Sequence, residues 1–184
     1  MRRDLVERAM AGDHGAFSEL ARTSIGRLYA AARLILRDDQ RAEDATQDAF
    51  VAAWRDLSAL RDPDRFDAWL HRLLIRACYR EAGRGRRRWA LELEVRTTPG
   101  SAPDPATDLA DRDQLERGFR RLDADQRTIL VLHYYLGLTL DEIADALAIP
   151  PGTVRSRLHR ATLAMRAALV ADARPTPSNE RRLA

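Results

Sequence analysis

Five polar residues near the carboxyl end of the chain have the types and spacing that DNA recognition requires. Most of them recur at intervals of three and four residues, which places them on one face of a helix. A guanidinium group can donate two parallel hydrogen bonds to a guanine edge or hold a phosphate, and hydroxyl groups bond base edges. The pattern predicts contact with the major groove by Thr153, Arg155, Ser156, His159 and Arg160.

Two helices and a tight turn must position this set. Thr139 and Glu142 have the spacing of a capping box at the start of a first helix, and Pro150-Pro151-Gly152 follows it. Because proline is tolerated at the first helical position, a second helix can begin at Pro151. Its apolar stripe is predicted to comprise Val154, Leu158, Ala161 and Met165. Acidic helix, turn and basic helix in this order are typical of a helix-turn-helix.

A solvated, Arg-rich surface helix is the alternative interpretation of the second helix. Such helices usually carry compensating Glu, whereas residues 151–169 contain four Arg and no acid. Arg157, at the edge of the apolar stripe, can equally pair with Asp141 or Asp145 of the first helix, and the sequence leaves its role open.

Composition excludes several classes of protein. The 184 residues carry 31 basic side chains, all Arg, against 28 acids, so position rather than Arg number must carry an argument about DNA. Cys78 is the only cysteine, which excludes an intramolecular disulfide and fits a reducing compartment. The four His lack metal-ligand spacing, so neither a metal nor another cofactor is predicted. With no paired nucleophile and base and no carboxylate cluster, we expect no enzyme.

The amino terminus and the hydropathy pattern favour a cytoplasmic protein. Met1 is followed by Arg2, Arg3 and Asp4 with no apolar run behind them, so no signal peptide is predicted. No stretch approaches the 18 apolar residues of a membrane span.

Helical periodicity without strand signals predicts an all-α fold of two small helical domains, joined by a flexible, acidic and Pro-rich linker. We place the first domain at 1–89, the linker at 90–111, the second domain with the helix-turn-helix at 112–172, and a disordered tail at 173–184. Three helices are expected in the first domain, at about 13–36, 41–57 and 66–82. In the second, Asp123 and Gln126 have capping-box spacing and Gly137 is expected to end a helix.

Charge is strongly segregated within the first domain. Residues 72–88 hold seven Arg and one acid, with Trp69, Tyr79 and Trp89 in or beside them. Cations that follow phosphates and rings that stack on bases are typical of single-strand binding, although Trp69 can be partly core and 84–88 a solvated helix end. Residues 38–48 hold five acids and one Arg. That acidic face is either solvated surface or a docking face for a protein.

Four segments, in order, resemble the sigma-70 family and specifically its small extracytoplasmic-function (ECF) members. Residues 42–54 resemble the polymerase-docking helix, and 66–76 with the Arg cluster resemble the helix that handles the minus-ten promoter element. Residues 122–130 and 152–161 resemble the domain that reads the minus-thirty-five element. The resemblance covers nearly the whole chain except the linker and tail.

The resemblance implies a dissociable initiation subunit whose partners are promoter DNA, the largest subunits of core RNA polymerase and, in many relatives, an anti-sigma factor. It implies polymerase binding by Asp44, Gln47, Asp48 and Val51. It assigns the minus-ten element to Arg65, Trp69, Arg72, Arg76, Tyr79, Arg80 and Arg84, and capture of a flipped base to the loop 57–65. Arg76 departs from the family, which often carries Asn there. The polar set at 153–160 is implied to read the minus-thirty-five element.

The length of the linker is compatible with binding two promoter elements at once. A linker of residues 90–111 can span at most about 70–80 Å, enough for promoter elements about 70 Å apart. The competing hypothesis is a stand-alone helix-turn-helix regulator with a helical sensor domain. The Arg-aromatic cluster argues against it, because a sensor would offer an apolar pocket there.

Overall fold

The structure, a computed structural model, describes residues 2–91 and 109–173, with the side chains of 2–83 and 114–171. All regular structure in these ranges is helical, which confirms the all-α class. The helices are α1 Arg2–Met10, α2 His14–Leu36, α3 Asp39–Asp56, α4 Phe66–Leu91, α5 Leu109–Arg120, α6 Ala124–Leu130, α7 Leu140–Leu147 and α8 Pro151–Ala173. Two 3-10 turns, Leu57–Ala59 and Pro63–Arg65, lead into α4, and a π-helical turn, Val131–Tyr135, continues α6.

Helices α1 to α4 form the amino-terminal domain. Helix α2 begins where expected, because the Asp13 carboxylate accepts a hydrogen bond from the backbone N–H of Ala16 at 3.0 Å. The fully buried positions of α3 carry small side chains, which lets α2 and α4 approach it closely. This fully buried face consists of Ala42, Ala45, Ala49 and Ala53. Leucines of α2 and α4, among them Leu20, Leu28, Leu70 and Leu74, fill the core around it.

Helices α5 to α8 form the carboxy-terminal domain, and its capping signals are confirmed. Asp123 with Gln126 and Thr139 with Glu142 both form complete capping boxes. Gly137 has φ of 76°, a left-handed conformation that favours glycine, and it follows the π-helical turn as expected. The stripe of α8 also faces the core: Val154 and Ala161 are fully buried, and Leu158 and Met165 are half-buried.

The two domains contact each other directly and share one hydrophobic core. Helix α4 packs against α7, while α2 packs against α6 and the π-helical turn. The first helix of the helix-turn-helix therefore lies on the helix that carries the predicted minus-ten face.

Several features differ from expectation. Helix α1 was not predicted, because no capping signal precedes its Arg-rich sequence, yet it buries Val6 and Ala9. Helix α4 continues nine residues beyond the predicted end at 82. Most of the predicted linker and tail lies outside the described residues, although α4 and α5 extend into the two ends of the range 90–111.

Candidate nucleic-acid interface

The recognition face of α8 is built as the sequence predicts. Arg155, Ser156, His159 and Arg160 are all exposed on the side of α8 opposite the buried stripe. Thr153 is half-buried, and its carbonyl accepts a hydrogen bond from the Ser156 hydroxyl at 3.0 Å. The second and third turns of α8 therefore offer two guanidinium groups, a hydroxyl and an imidazole to a ligand.

Arg157 does not belong to that face. It is half-buried, and within the described residues it forms no ion pair with either Asp141 or Asp145. Its charge instead acts on Tyr79 of α4. Burial raises the pKa of the Tyr79 phenol, and the positive charge of Arg157 partly offsets that rise. Arg157 thus lies close enough to the amino-terminal domain for its charge to act on Tyr79.

The predicted minus-ten residues lie along α4 and the turn before it. Arg65, Arg76 and Arg80 are exposed, whereas Arg72 and Trp69 are half-buried. The Trp69 ring lies 6.0 Å from the Phe66 ring, so part of the indole belongs to the core. The backbone of Arg84 lies in α4, and its side chain is outside the described residues. One side of α4 therefore combines cations with a partly available aromatic ring.

Tyr79 of this set contacts the other domain. Its hydroxyl donates to the Asp125 carboxylate of α6 at 3.2 Å, and the side chain is 38% exposed. Burial raises the pKa of the Tyr79 phenol, and the charge of Asp125 adds to the effect. The phenol is therefore a neutral hydrogen-bond donor at neutral pH.

His71 is a buried residue that the sequence did not single out. It is 7% exposed at the junction of α4 and α7, and burial lowers the pKa of its imidazole. The carboxylates of Asp67 and Glu142 oppose that shift, and the guanidinium groups of Arg27 and Arg2 add to it. His71, on the face of α4 turned toward α7, therefore carries no charge at neutral pH.

The polymerase-docking set is accessible on α3. Asp44, Gln47 and Val51 are exposed, Val51 by 58%, and Asp48 is half-buried. Asp48 also accepts from Arg80 at 3.3 Å. We call these four residues the docking face.

An apolar groove between α2 and α3 adjoins the docking face, and sequence reasoning missed it. Trp54, which the helical pattern placed on the inward side of α3, is 40% exposed. Its ring centroid lies 4.6 Å from that of His14 in a tilted arrangement and 4.9 Å from that of Phe17 in an edge-on one. Apolar residues four apart on α2 were the available signal. The groove is lined by Phe17, Ala21, Ile25, Phe50, Val51 and Trp54.

A second apolar groove lies where the two domains meet. Tyr29 and Leu34 of α2 form one wall, and Leu115, Phe119 and Tyr134 of the carboxy-terminal domain form the other. Tyr134 is 66% exposed and Leu115 is 47% exposed, both large values for apolar side chains. We call this the interdomain groove.

A separate cavity of about 460 Å³ between the domains is lined by Cys78 and Arg127 among others. Burial raises the pKa of the Cys78 thiol to about 12, which makes it unreactive at neutral pH. Burial also lowers the pKa of the Arg127 guanidinium.

Neither a metal-ligand cluster nor a membrane-spanning helix is present in the described ranges. There, no three His, Cys, Asp or Glu residues come together as ligands for a metal ion. None of the helices described is long and apolar enough to cross a bilayer.

Comparison with known families matches both domains. The family model described as Sigma-70 region 2 matches residues 20–88, and the model described as Sigma-70, region 4 matches residues 112–165. Among curated proteins, the RNA polymerase sigma-H factor of Pseudomonas aeruginosa is 32% identical, covering 90% of this chain and 92% of its own. The ECF RNA polymerase sigma factor SigM of Mycobacterium tuberculosis is 31% identical, and the match covers 86% of this chain and 79% of SigM.

Solved structures agree. CnrH in complex with the cytosolic domain of CnrY has a TM-score of 0.66 and 31% identity, with 94% of this chain and 99% of that one covered. The sigma factor RpoE bound to the anti-sigma factor NepR from Bartonella quintana has a TM-score of 0.69 at 24% identity, which supports the fold alone. The similarity spans both domains rather than the helix-turn-helix only.

Proposed function

The chain belongs to the sigma-70 family, as a sigma factor of the ECF type, and from this premise we propose how its surfaces divide the work of initiation. The docking face binds the largest subunits of core polymerase. The cationic side of α4 binds and opens the minus-ten element, and the exposed set on α8 reads the minus-thirty-five element.

One observation carries this assignment most strongly. Arg155, Ser156, His159 and Arg160 project together from the start of α8, while the opposite stripe is held in the core. That is the arrangement in which the amino-terminal residues of a recognition helix reach base edges. A bidentate contact of one Arg with a guanine base favours the correct base over a wrong one by about 1–3 kcal/mol.

Opening of the minus-ten element is assigned to α4 and the turn before it. Extruding a base from the stack costs a few kcal/mol, and stacking on an aromatic side chain returns about 1–3 kcal/mol per base. Trp69 and Tyr79 are the described aromatic side chains on this side of α4, and Arg65, Arg76 and Arg80 supply positive charge for the displaced strand. The chain is proposed to act in the cytoplasm as a binding subunit, not as an enzyme.

In vitro transcription with core polymerase from the same host, on a library of genomic templates, tests the proposal. We expect initiation at a small set of start sites that requires the chain. A gel shift distinguishes the regulator hypothesis, because a stand-alone regulator binds duplex promoter without polymerase. If core polymerase initiates at the same start sites with and without the chain, the proposed function is refuted.

We also infer that an anti-sigma protein occupies the interdomain groove with an amphipathic helix. The relative CnrH is described in complex with the cytosolic domain of CnrY, and the groove here offers exposed apolar side chains rimmed by Arg33, Glu116 and Arg166. The test adds purified candidate anti-sigma proteins of the host to the transcription reaction. The inference is supported if the anti-sigma protein inhibits the wild type and Tyr134→Phe but not Tyr134→Asp. Equally strong inhibition of the wild type and both variants contradicts it.

A further inference from the structure

Helix α1, which the sequence did not predict, is fastened by two arginine side chains to the segment that leads into α4. Arg3 donates from Nη1 to Oδ2 of Asp64 at 2.5 Å, and Arg2 donates from Nη2 to Oδ1 of Asp67 at 2.5 Å. Arg2 also donates to the hydroxyl of Ser24 at 3.1 Å. Because Ser24 belongs to α2 and is only 5% exposed, Arg2 joins three elements of the domain.

The segment 57–65 is the one to which the family resemblance assigns capture of a flipped base, and we call it the capture turn. Burial fixes its ends, since Leu57, Leu60 and Phe66 are each at most 6% exposed. Its middle lies at the surface and includes the exposed residues Arg61, Asp62, Asp64 and Arg65. Burial therefore determines where the turn begins and ends, but not the shape of its exposed part.

Contacts within the turn and contacts from α1 determine that shape. The Asp62 carboxylate accepts a hydrogen bond from the backbone N–H of Asp64 at 3.0 Å, which caps the second 3-10 turn from within. Helix α1 packs against both 3-10 turns and buries Val6 and Ala9. The side chain of Asp64 is thus held from outside the turn by Arg3 alone among the described hydrogen bonds.

Charge gives these contacts a consequence for DNA. Asp64 and Asp67 flank Arg65 in the sequence, and Arg65 is assigned to the minus-ten element. Among the described residues Arg65 forms no salt bridge, whereas both carboxylates are paired with α1. Arg65 therefore keeps its charge available for a phosphate. Without Arg2 and Arg3, the two carboxylates would compete for Arg65 and repel the phosphate.

The size of the effect follows from the exposure of the two pairs. The four side chains that form them are 46–60% exposed, and an exposed pair changes an equilibrium by at most about fivefold. That is too little to decide whether the domain folds. It is enough to change the population of one shape of a short turn, and the apparent affinity for a ligand of that shape changes in proportion.

We propose that α1 is a positioning element for base capture: Arg3 through Asp64, and Arg2 through Asp67, hold the capture turn in the shape that receives a base extruded from the minus-ten element. This inference rests on the proposed function, in which α4 and the turn before it open that element. Neither arginine contacts the base. Affinity for the base rises because the turn is ordered before the base arrives.

Arg3→Glu in the full-length chain tests the proposal, because it replaces an attractive pair with two carboxylates that repel each other. Combining it with Asp64→Arg restores the attraction with the charges exchanged. Circular dichroism and thermal unfolding verify that each variant is folded. If Arg3→Glu does not fold, Arg3→Ala takes its place, since it removes the pair without adding repulsion.

Arg8→Glu is the matched control on the same helix. Its described partner, Asp13, lies outside the capture turn. Arg3 and Arg8 each have an acid four residues away in α1, Glu7 and Asp4 respectively, so repulsion within the helix is matched as well.

The readout is the contribution of single bases to binding. Holoenzyme formed with core polymerase is titrated with the single-stranded, non-template minus-ten segment of a promoter that it transcribes, and fluorescence anisotropy gives the affinity. Each base is replaced in turn by an abasic site. Wild type and Arg8→Glu should lose about five- to hundredfold in affinity at the captured position, the contribution of one stacked base. We call this loss the abasic penalty.

Arg3→Glu should bind the intact strand about three- to tenfold more weakly than Arg8→Glu does, and the abasic strand equally well. The abasic penalty then shrinks by the same factor, and Asp64→Arg should restore it. Any general attraction of the new arginine for DNA cancels, because it acts on both strands. A merely structural role of α1 would weaken both strands alike. An unchanged penalty in Arg3→Glu, or a charge exchange that does not restore it, would overturn the proposal.

Transcription with core polymerase separates this inference from the function on which it rests. If wild type initiates selectively and Arg3→Glu keeps the full abasic penalty, the positioning role fails and the proposed function stands. If wild type never directs initiation, the proposed function fails whatever the variants do, and the positioning role fails with it.

Discussion

Arg80 of α4 and Asp48 of α3 form an ion pair, with Nη2 of the arginine 3.3 Å from Oδ2 of the aspartate. The two residues belong to different surfaces, since Asp48 lies on the docking face and Arg80 on the cationic side of α4. Their side chains are 51% and 42% exposed, so the pair contributes only about 0.2–1 kcal/mol. A polymerase subunit that engages Asp48 would therefore release Arg80 for a DNA phosphate at little cost.

Asp48→Asn is expected to weaken core polymerase binding and to strengthen binding of the free chain to single-stranded non-template DNA. The second effect arises because Arg80 loses its carboxylate partner, and it should be at most about fivefold. Fluorescence anisotropy at two salt concentrations measures it, and the gain should shrink at high salt. Asp56→Asn, which releases Arg55 on another part of the domain, is the control, and an equal gain there would contradict the coupling.

Val51→Asp is expected to reduce core polymerase binding by at least about tenfold, because it places a carboxylate at the edge of an apolar groove that the partner must dehydrate. Val51 is already 58% exposed, so the thermal unfolding midpoint should hardly change. Val170→Asp on α8, at 64% exposure, is the matched control. Co-purification with tagged core enzyme is the measurement. Equal retention of both variants would remove Val51 from the docking face.

Charge reversal at both Asp44 and Asp48 is expected to abolish polymerase binding while the chain stays folded. Like charges brought together at an interface cost several kcal/mol. Glu19→Arg, on α2 and away from the groove, tests whether any added positive charge has this effect. Normal co-purification of the double variant would refute the assignment.

Arg160→Ala should weaken promoter binding by the polymerase complex by about 1–3 kcal/mol and relax base preference at one position of the minus-thirty-five element. Arg166→Ala, farther along α8 and outside the recognition face, should retain that preference. Competition binding against single-base promoter variants measures both. Uniform loss across unrelated sequences would instead assign Arg160 to a phosphate.

Signals contained within a few residues were predictable from the sequence. The caps at Asp13, Asp123 and Thr139 depend on neighbours three residues away, and the stripe of α8 repeats over about three turns. The exposure of the polar residues selected on α8 follows from the same periodicity. Local pattern also sufficed to place Asp44 and Val51 at the surface.

Contacts between distant segments were not predictable in the same way. Ile75, Cys78 and His71 widen the buried face of α4, because a helix enclosed by α2, α3 and α7 has no fully solvated side there. Trp54 turns outward because the His14 and Phe17 rings of α2 pack against it, and no spacing within α3 reveals them. Arg157 faces Tyr79 only because the two domains meet.

Thr139→Ala is expected to lower the free energy of unfolding by about 1 kcal/mol, because the hydroxyl accepts the backbone N–H of Glu142 at 3.2 Å. Thr139→Ser keeps an acceptor in the same place and should retain most of the stability. Urea unfolding of the two variants and wild type gives the difference. Equal destabilisation by Ala and Ser would show that the methyl group, not the cap, is responsible.

The other half of this capping box should make stability depend on pH. The backbone N–H of Thr139 holds the pKa of Glu142 below its usual 4.5, an effect that burial opposes. A carboxyl group whose pKa is lower in the folded state than in the unfolded state stabilises the fold at pH values above the unfolded-state pKa. That contribution is lost as the pH falls through the folded-state pKa. Wild type should therefore exceed Glu142→Gln in stability at pH 6–7, and the difference should shrink below about pH 4.5. A difference that grows in acid would contradict this sign.

The hydrogen bonds that cross between the domains from Arg127 to Ile35, and from Arg27 to Tyr135 and Leu136, end on main-chain oxygens, which every amino acid carries. Substitution of Ile35, Tyr135 or Leu136 by other residues of similar packing leaves the acceptors in place, so the contact imposes no matched pair of residue types. Correlated changes between positions across relatives would not disclose such a contact. A lineage could loosen or lose it through a single codon change at either arginine, without altering the surfaces that meet DNA or polymerase.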